Sequence, residues 1–116
     1  DTGNNYARHL LGGNGSGAFL DAVASSTARA GVRLISSYAS YASMFTALVI
    51  DILDYANTNK RKTLRSLSGR DANGSGIMNV RSSVWLSSSA ITSITILPGA
   101  GTLSSGSSFA LYGIKG

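Results

Sequence analysis

The stretch Asp71-Ala72-Asn73-Gly74-Ser75-Gly76 separates two short runs, residues 62–68 and residues 77–86. Asn-Gly within such a stretch is a strong turn signal, because glycine adopts positive φ at little cost. The same alternation of runs and turns extends along the chain. Further runs lie at residues 6–11, 32–35, 47–55, 91–97 and 109–115, and further turns at residues 12–17, 56–59, 98–101 and 104–107. This layout predicts an all-β fold, an antiparallel sandwich or barrel.

Residue alternation near the C-terminus supports the prediction of strands. In Thr92-Ser93-Ile94-Thr95-Ile96, the two isoleucines share one face of a strand and Ser93 and Thr95 share the other. Residues 109–114 carry apolar side chains on both faces, which is typical of a strand buried on both sides.

Residues 18–30 are the exception. This segment is rich in alanine, and Phe19, Ala22 and Val23 are spaced as on one side of a helix. The spacing predicts a short helix or a loop.

The length bounds the number of domains. A chain of 116 residues has the size of one domain, so residues 1–116 are expected to form a single β-sandwich domain. The opening Asp1-Thr2-Gly3-Asn4-Asn5 reads like the middle of a turn. We therefore expect the domain to be the C-terminal part of a longer chain.

The composition is poor in charge. Charged residues make up 13% of the chain, against roughly a quarter in an average soluble domain. A surface of hydroxyls and amides suits extracellular particles and close-packed interfaces better than a cytosolic enzyme. The net charge of +5 favours an acidic partner, although scattered arginines that pair with Asp and backbone groups would also explain it.

The sequence has no cysteine and no apolar stretch long enough to span a membrane. There is no cysteine, which excludes disulfides and cysteine-based metal sites. The longest apolar stretch, residues 44–53, is interrupted by Thr46 and Asp51 and is far shorter than the ~20 residues of a spanning helix. We expect no membrane insertion.

The residues suited to catalysis are few, so we do not expect an enzyme. His9 is the single histidine, and no Gly-x-Ser-x-Gly elbow exposes a nucleophile. Asp51 and Asp54 are an odd number of residues apart, so on a strand they point to opposite faces and cannot flank one glycosidic bond. We expect Asp51 to offset a nearby arginine and Asp54 to open the turn that follows.

Cofactor and metal motifs are incomplete as well. Residues 71–76 resemble the start of a calcium loop but lack the acidic residue that closes it. Residues 12–17 resemble a phosphate cradle, yet no Gly-Lys-Ser/Thr follows. No cofactor and no metal is expected.

The strongest charge feature is the cluster Lys60-Arg61-Lys62, which either ends a solvated hairpin or contacts an anionic surface. On a strand, Arg61 and Arg65 share one face and Lys62 lies on the other. Nucleic acid is disfavoured because no aromatic residues are interleaved with the cations. Trp85, Tyr38 and Tyr41 could stack on a sugar, although a place for Trp85 in the core is the simpler interpretation. The predicted surface contacts are Asn57, Asn59, Lys60, Arg61, Lys62, Asn73 and Trp85.

Several stretches together carry a family resemblance. Leu53-Asp54-Tyr55-Ala56-Asn57-Thr58-Asn59-Lys60 leads into Lys62-Thr63-Leu64-Arg65-Ser66-Leu67-Ser68-Gly69. Trp85 is followed by Ala90-Ile91-Thr92-Ser93-Ile94-Thr95-Ile96, and the chain closes with Gly106-Ser107-Ser108-Phe109-Ala110-Leu111-Tyr112-Gly113-Ile114-Lys115-Gly116. This layout resembles the C-terminal domain of phage tail-fibre or minor virion proteins, in which an "I-T-S-I-T-I" strand precedes a terminal "F-x-L-Y-G-I" strand. The resemblance covers residues 47–116, and its motifs identify a scaffold and not a chemistry.

The resemblance implies a jelly-roll-like β-sandwich on a bacteriophage particle, assembled as a homotrimer with other virion proteins. The expected function is that of a tail-fibre or receptor-binding module that contacts a host surface glycan through its loops, at residues 12–17, 57–61 and 71–76. The alternative is a capsid decoration or head-fibre protein that stabilises the shell. Both place the chain on the virion.

Overall fold

A computed structural model describes residues 1–31, 44–71, 73–98 and 101–114. Five strands form one antiparallel sheet: β1 (Tyr6–Gly13), β2 (Ala18–Thr27), β3 (Ala47–Ile52), β4 (Lys62–Asp71) and β5 (Gly76–Trp85). Their order is β2-β1-β5-β4-β3, which leaves β2 and β3 at the edges. Among these residues there is no helix. The prediction of an all-β, antiparallel fold is confirmed.

Strand β2 corrects the prediction of a helix or loop in residues 18–30. It pairs with β1 through the register Leu11↔Leu20 and His9↔Ala22, with an irregularity opposite Ala7. Phe19 and Val23 are four residues apart, and this separation puts two side chains on one face of a strand as well as on one face of a helix. Pairing with β1 therefore decides the conformation, and alanine content does not.

Two tight loops build the hairpins. Between β1 and β2, the Asn14 side-chain Oδ1 accepts hydrogen bonds from the backbone N–H groups of Ser16 and Gly17, both at 3.1 Å. Between β4 and β5, Asn73 and Gly74 both have positive φ, and the Asn73 N–H donates to Asp71 Oδ1 at 2.9 Å. Both turns lie where the Gly-rich sequence predicts them.

The C-terminal strands that the sequence predicts are not formed. Residues 91–97 and 109–114 lie outside the sheet, and the structure assigns them no strand. A strand exists only where a neighbour completes its hydrogen-bond ladder, and within the described residues these segments have none. The predicted run at residues 32–35 lies outside the described residues.

One face of the sheet, here called the covered face, carries the buried positions. Its central row runs Asp21, Leu10, Arg81, Ser66 and Ile50 from β2 to β3. Leu10, Ser66 and Arg81 are buried, as are Asn79 and Ser83 on β5. Residues 30–31 lie over this face, because Ala30 accepts a hydrogen bond from Ser83 Oγ at 2.6 Å and Gly31 accepts one from Arg81 Nη1.

The opposite side, here called the open face, carries two adjacent rows of apolar residues across all five strands. They are Leu20, Leu11, Val80, Leu67 and Val49 in one row, and Ala18, Gly13, Met78, Gly69 and Ala47 in the next. Between 44% and 79% of the area of each residue in the first row is exposed. The sheet thus exposes a continuous apolar surface to solvent, whereas an antiparallel sheet with one solvated face usually turns polar residues to water.

Candidate functional site

The predicted contact residues fall at two opposite ends of the sheet. The β3–β4 loop, residues 53–61, and Trp85 lie at one end, since Lys62 pairs with Trp85. The β1–β2 and β4–β5 loops lie at the other end, since Gly13 pairs with Met78. The three loops expected to contact a partner are therefore not one surface. Residues 14–17 and 73–75 share an end, and residues 57–61 are apart from them.

Lys60 and Arg61 present the positive charge of the β3–β4 loop, and both are exposed. The ammonium group of Lys60 lies 3.6 Å from the carboxylate of Asp54, and both side chains remain more than half exposed. Such a pair contributes less than ~1 kcal/mol to stability. Arg61 is thus the cation of this loop that has no ion-pair partner among the described residues.

Lys62 corrects the prediction of a surface contact, because it is buried, with 0% of its area exposed. Its ammonium group donates hydrogen bonds to the carbonyl oxygens of Asn57, of Lys60 at 2.6 Å and of Ser88 at 3.0 Å. The first two acceptors belong to the loop, and the third belongs to the segment after β5. Lys62 therefore ties the loop to that segment and does not reach a partner.

Asn57 and Asn59 shape the same loop. The Asn57 N–H donates to the Asp54 carbonyl at 3.0 Å, and Asp54 has a positive φ of 53°. The Asn57 side chain then accepts the Asn59 N–H at 2.7 Å. The expectation that Asp54 opens this turn is confirmed. Asn57 is half-buried and serves the turn, while Asn59 is exposed.

Asn73 lies at the opposite end, exposed, in the β4–β5 loop. Asn14, Gly15, Gly74 and Ser75 line a shallow depression there, between the two hairpin loops. Arg70 and Asp71 also line it, so this end offers charged side chains to a partner as well as backbone groups and amide side chains.

Trp85 ends β5 on the covered side and is half-buried. Its ring stacks on Tyr6, with centroids 6.5 Å apart and planes 18° apart, and its indole N–H donates to Asp1 Oδ2 at 2.8 Å. The ring face and the indole N–H of Trp85 both have partners within the chain. This favours a packing role for Trp85 over a contact with a sugar. Burial also raises the pKa of Tyr6 above its ordinary value, because the phenolate form is desolvated.

The residues considered for catalysis do not converge. Asp51 receives two hydrogen bonds from Arg65, from Nε at 3.1 Å and from Nη2 at 2.8 Å, across the β3–β4 pair. The expectation that Asp51 offsets an arginine is confirmed. His9 is exposed on the open face opposite Ala22 and Ser82, two residues without an acid or base.

The described residues contain neither a metal-binding cluster nor a helix that could span a membrane. No group of three or more histidine, aspartate or glutamate side chains there is arranged to hold a metal ion. Within the same residues, no helix has the length and hydropathy needed to span a membrane.

The distribution of polarity between the two faces does not follow from the sequence alone. Serines alternate with apolar residues in β4, and their covered-side positions Ser66 and Ser68 are buried while Leu67 between them is exposed. A period of two predicts two unlike faces but does not show which of them is buried. Hydrophobicity alone would predict that Leu67 is buried and that the serines are exposed.

Comparison with known proteins adds no relative: no family model, no curated protein and no solved structure matches this chain.

Proposed function

We propose that this chain is a non-catalytic structural β-module of a bacteriophage virion, of the tail-fibre or receptor-binding type. It acts by assembling with copies of itself, as a homotrimer, and with other virion proteins. Its loops contact a host surface glycan. The C-terminal sequence motifs supply the phage assignment, and the surface of the molecule supplies the argument for assembly.

The observation that carries this proposal is the amount of apolar surface on the outside. In the C-terminal segment, Leu111 and Tyr112 are each 83% exposed and Ile114 is 91% exposed. Monomeric soluble proteins rarely leave such residues together in solvent, because contiguous apolar patches mark surfaces that bind another protein or membrane. An assembled particle protein buries this surface against its neighbours.

A jelly-roll-like sandwich is part of the same proposal. The five-stranded sheet supplies one layer. The apolar segments 91–97 and 109–114 have the composition of strands and would acquire ladder partners once chains assemble.

The alternative, a capsid decoration or head-fibre protein, draws on the same apolar surface. It would bury that surface at junctions between shell subunits. The two functions differ in where the chain sits on the particle and in how many copies are present.

The test is to image particles of the phage that encodes this chain after labelling with an antibody to it. We expect label at the tail tip, in a few trimers, and inhibition of adsorption by the antibody. Label spread over the head in hundreds of copies would replace the fibre function with the decoration function. Absence of the chain from purified particles would overturn both.

A further inference from the structure

The open face is a continuous apolar surface that crosses the whole sheet. Leu20, Leu11, Val80, Leu67 and Val49 lie side by side, one from each strand, and each is at least 44% exposed. The adjacent row of Ala18, Gly13, Met78, Gly69 and Ala47 contains no polar side chain. The side chains of these two rows are therefore aliphatic, apart from two glycines and the thioether of Met78.

The apolar rows contain no charge, and the row on one side of them is neutral overall. In that row, Arg65 and Asp51 form an ion pair at 2.8 Å, and Ala22, His9 and Ser82 complete the row. On the other side, Asp71 lies at the end of β4, opposite Gly76. The chain as a whole carries +5, so two copies repel each other on average, but none of that positive charge lies in the two apolar rows.

The size of the face matches that of a stable protein interface. Five strands that are about 4.8 Å apart and between six and ten residues long make a flat area of roughly 700 Å². Specific interfaces bury about 800 Å² of accessible surface on each partner, and side chains make the accessible area larger than the flat one. Two sheets of this kind pack face to face about 10 Å apart.

We propose that the open face is the surface through which a second copy of this chain binds, open face against open face. An apolar row without net charge is complementary to itself, which is the requirement for contact between identical surfaces. The second copy then supplies the layer that each sheet lacks. This inference goes beyond the proposed homotrimer, because contact between two identical faces pairs two copies about a two-fold axis. Its test uses the purified chain and needs no particle.

The test measures the molar mass of the purified chain by light scattering, together with two variants. Leu67→Thr with Val80→Thr makes the middle of the apolar row polar and places β-branched residues, which suit a strand, at both positions. Tyr55→Thr is the control, because it removes an exposed aromatic ring from the β3–β4 loop, outside the open face. We expect an oligomer for the unaltered chain and for the control, and a fall to the mass of one chain for the double variant.

Three results would overturn the inference: a monomeric unaltered chain, an oligomeric double variant that retains the circular dichroism of the original, or dissociation by Tyr55→Thr, which would move the contact to the β3–β4 loop. If the double variant does not fold, Val80→Cys and Tyr55→Cys decide, since the chain has no other thiol. We expect the thiol at position 80 to react at least tenfold more slowly at high protein concentration than at low, and the thiol at position 55 to react equally at both. Equal reactivity at position 80 would overturn the inference.

Discussion

Lys62 connects the β3–β4 loop to the segment that follows β5. Buried ammonium groups are tolerated when their hydrogens are all used, and the three donors of Lys62 meet three carbonyl oxygens. The acceptors come from the β3–β4 loop and from the segment after β5. The side chain therefore links two segments that form no strand pairing with each other.

Replacing Lys62 tests this role. Lys62→Met keeps an unbranched side chain that is one atom shorter, but it leaves the three carbonyl oxygens without their donor. We expect the free energy of unfolding, measured with urea, to fall by about 3 kcal/mol. Lys60→Met is the matched control, with an expected loss below ~1 kcal/mol, because Lys60 makes only an exposed ion pair. Equal losses for the two variants would contradict the structural role of Lys62.

The raised pKa of Tyr6 predicts that the free energy of unfolding decreases with pH in the alkaline range. Its folded-state pKa is raised by burial, so the folded state disfavours the phenolate. The stabilisation from the neutral phenol is complete below the unfolded pKa of about 10 and is lost as the pH rises through the folded pKa. Urea unfolding between pH 8 and 12 should show a steeper decline for the unaltered chain than for Tyr6→Phe. Tyr112→Phe, at an exposed ring, is the control that should keep the original slope.

At the scale of elements, the turns and four of the five strands could be predicted from the sequence, and β2 could not. Gly15, Asn73 and Gly74 have positive φ, which favours glycine and asparagine at these turns. Strands β1, β3, β4 and β5 begin within one residue of the predicted runs. β3 ends at Ile52, earlier than predicted, because Asp54 turns the chain with a positive φ.

The errors have one physical source, which is pairing. Residues 18–27 have weak β-propensity and form a strand because β1 lies beside them. Residues 109–114 have strong β-propensity and form no strand, because no neighbour among the described residues completes their ladder. Local sequence does not encode the presence of a neighbour, so it predicts turns better than it predicts which strands form.

For the β3–β4 loop, the proposed contact with an anionic surface is reduced to one residue, Arg61. Of the cluster Lys60-Arg61-Lys62, Lys62 is buried and Lys60 faces Asp54, which leaves Arg61 to meet an anionic surface. Arg61→Ser should weaken binding to anionic host polymers several-fold at low salt, with a smaller effect at high salt, because the interaction is screened. Arg29→Ser removes the same charge from another exposed position and should change binding little. Equal binding by Arg61→Ser and the unaltered chain would eliminate this contact.

At the scale of the whole molecule, the distribution of polarity is the central feature. The covered face buries Asn79, Arg81 and Ser83, while the open face exposes leucine, valine and methionine. A single chain of this kind leaves much of its apolar surface in water and gains correspondingly little from the hydrophobic effect. Association would bury that surface and recover the hydrophobic contribution. We therefore expect folding and assembly to be coupled.

The most direct test of this account is the thermal unfolding temperature of the unaltered chain over a hundredfold range of protein concentration. If copies bind one another only when folded, mass action raises the unfolding temperature with concentration. We predict a rise of several degrees over this range. An unfolding temperature that stays constant would show that the single chain is the stable unit, and it would contradict the claim that this protein works by association through its apolar surface.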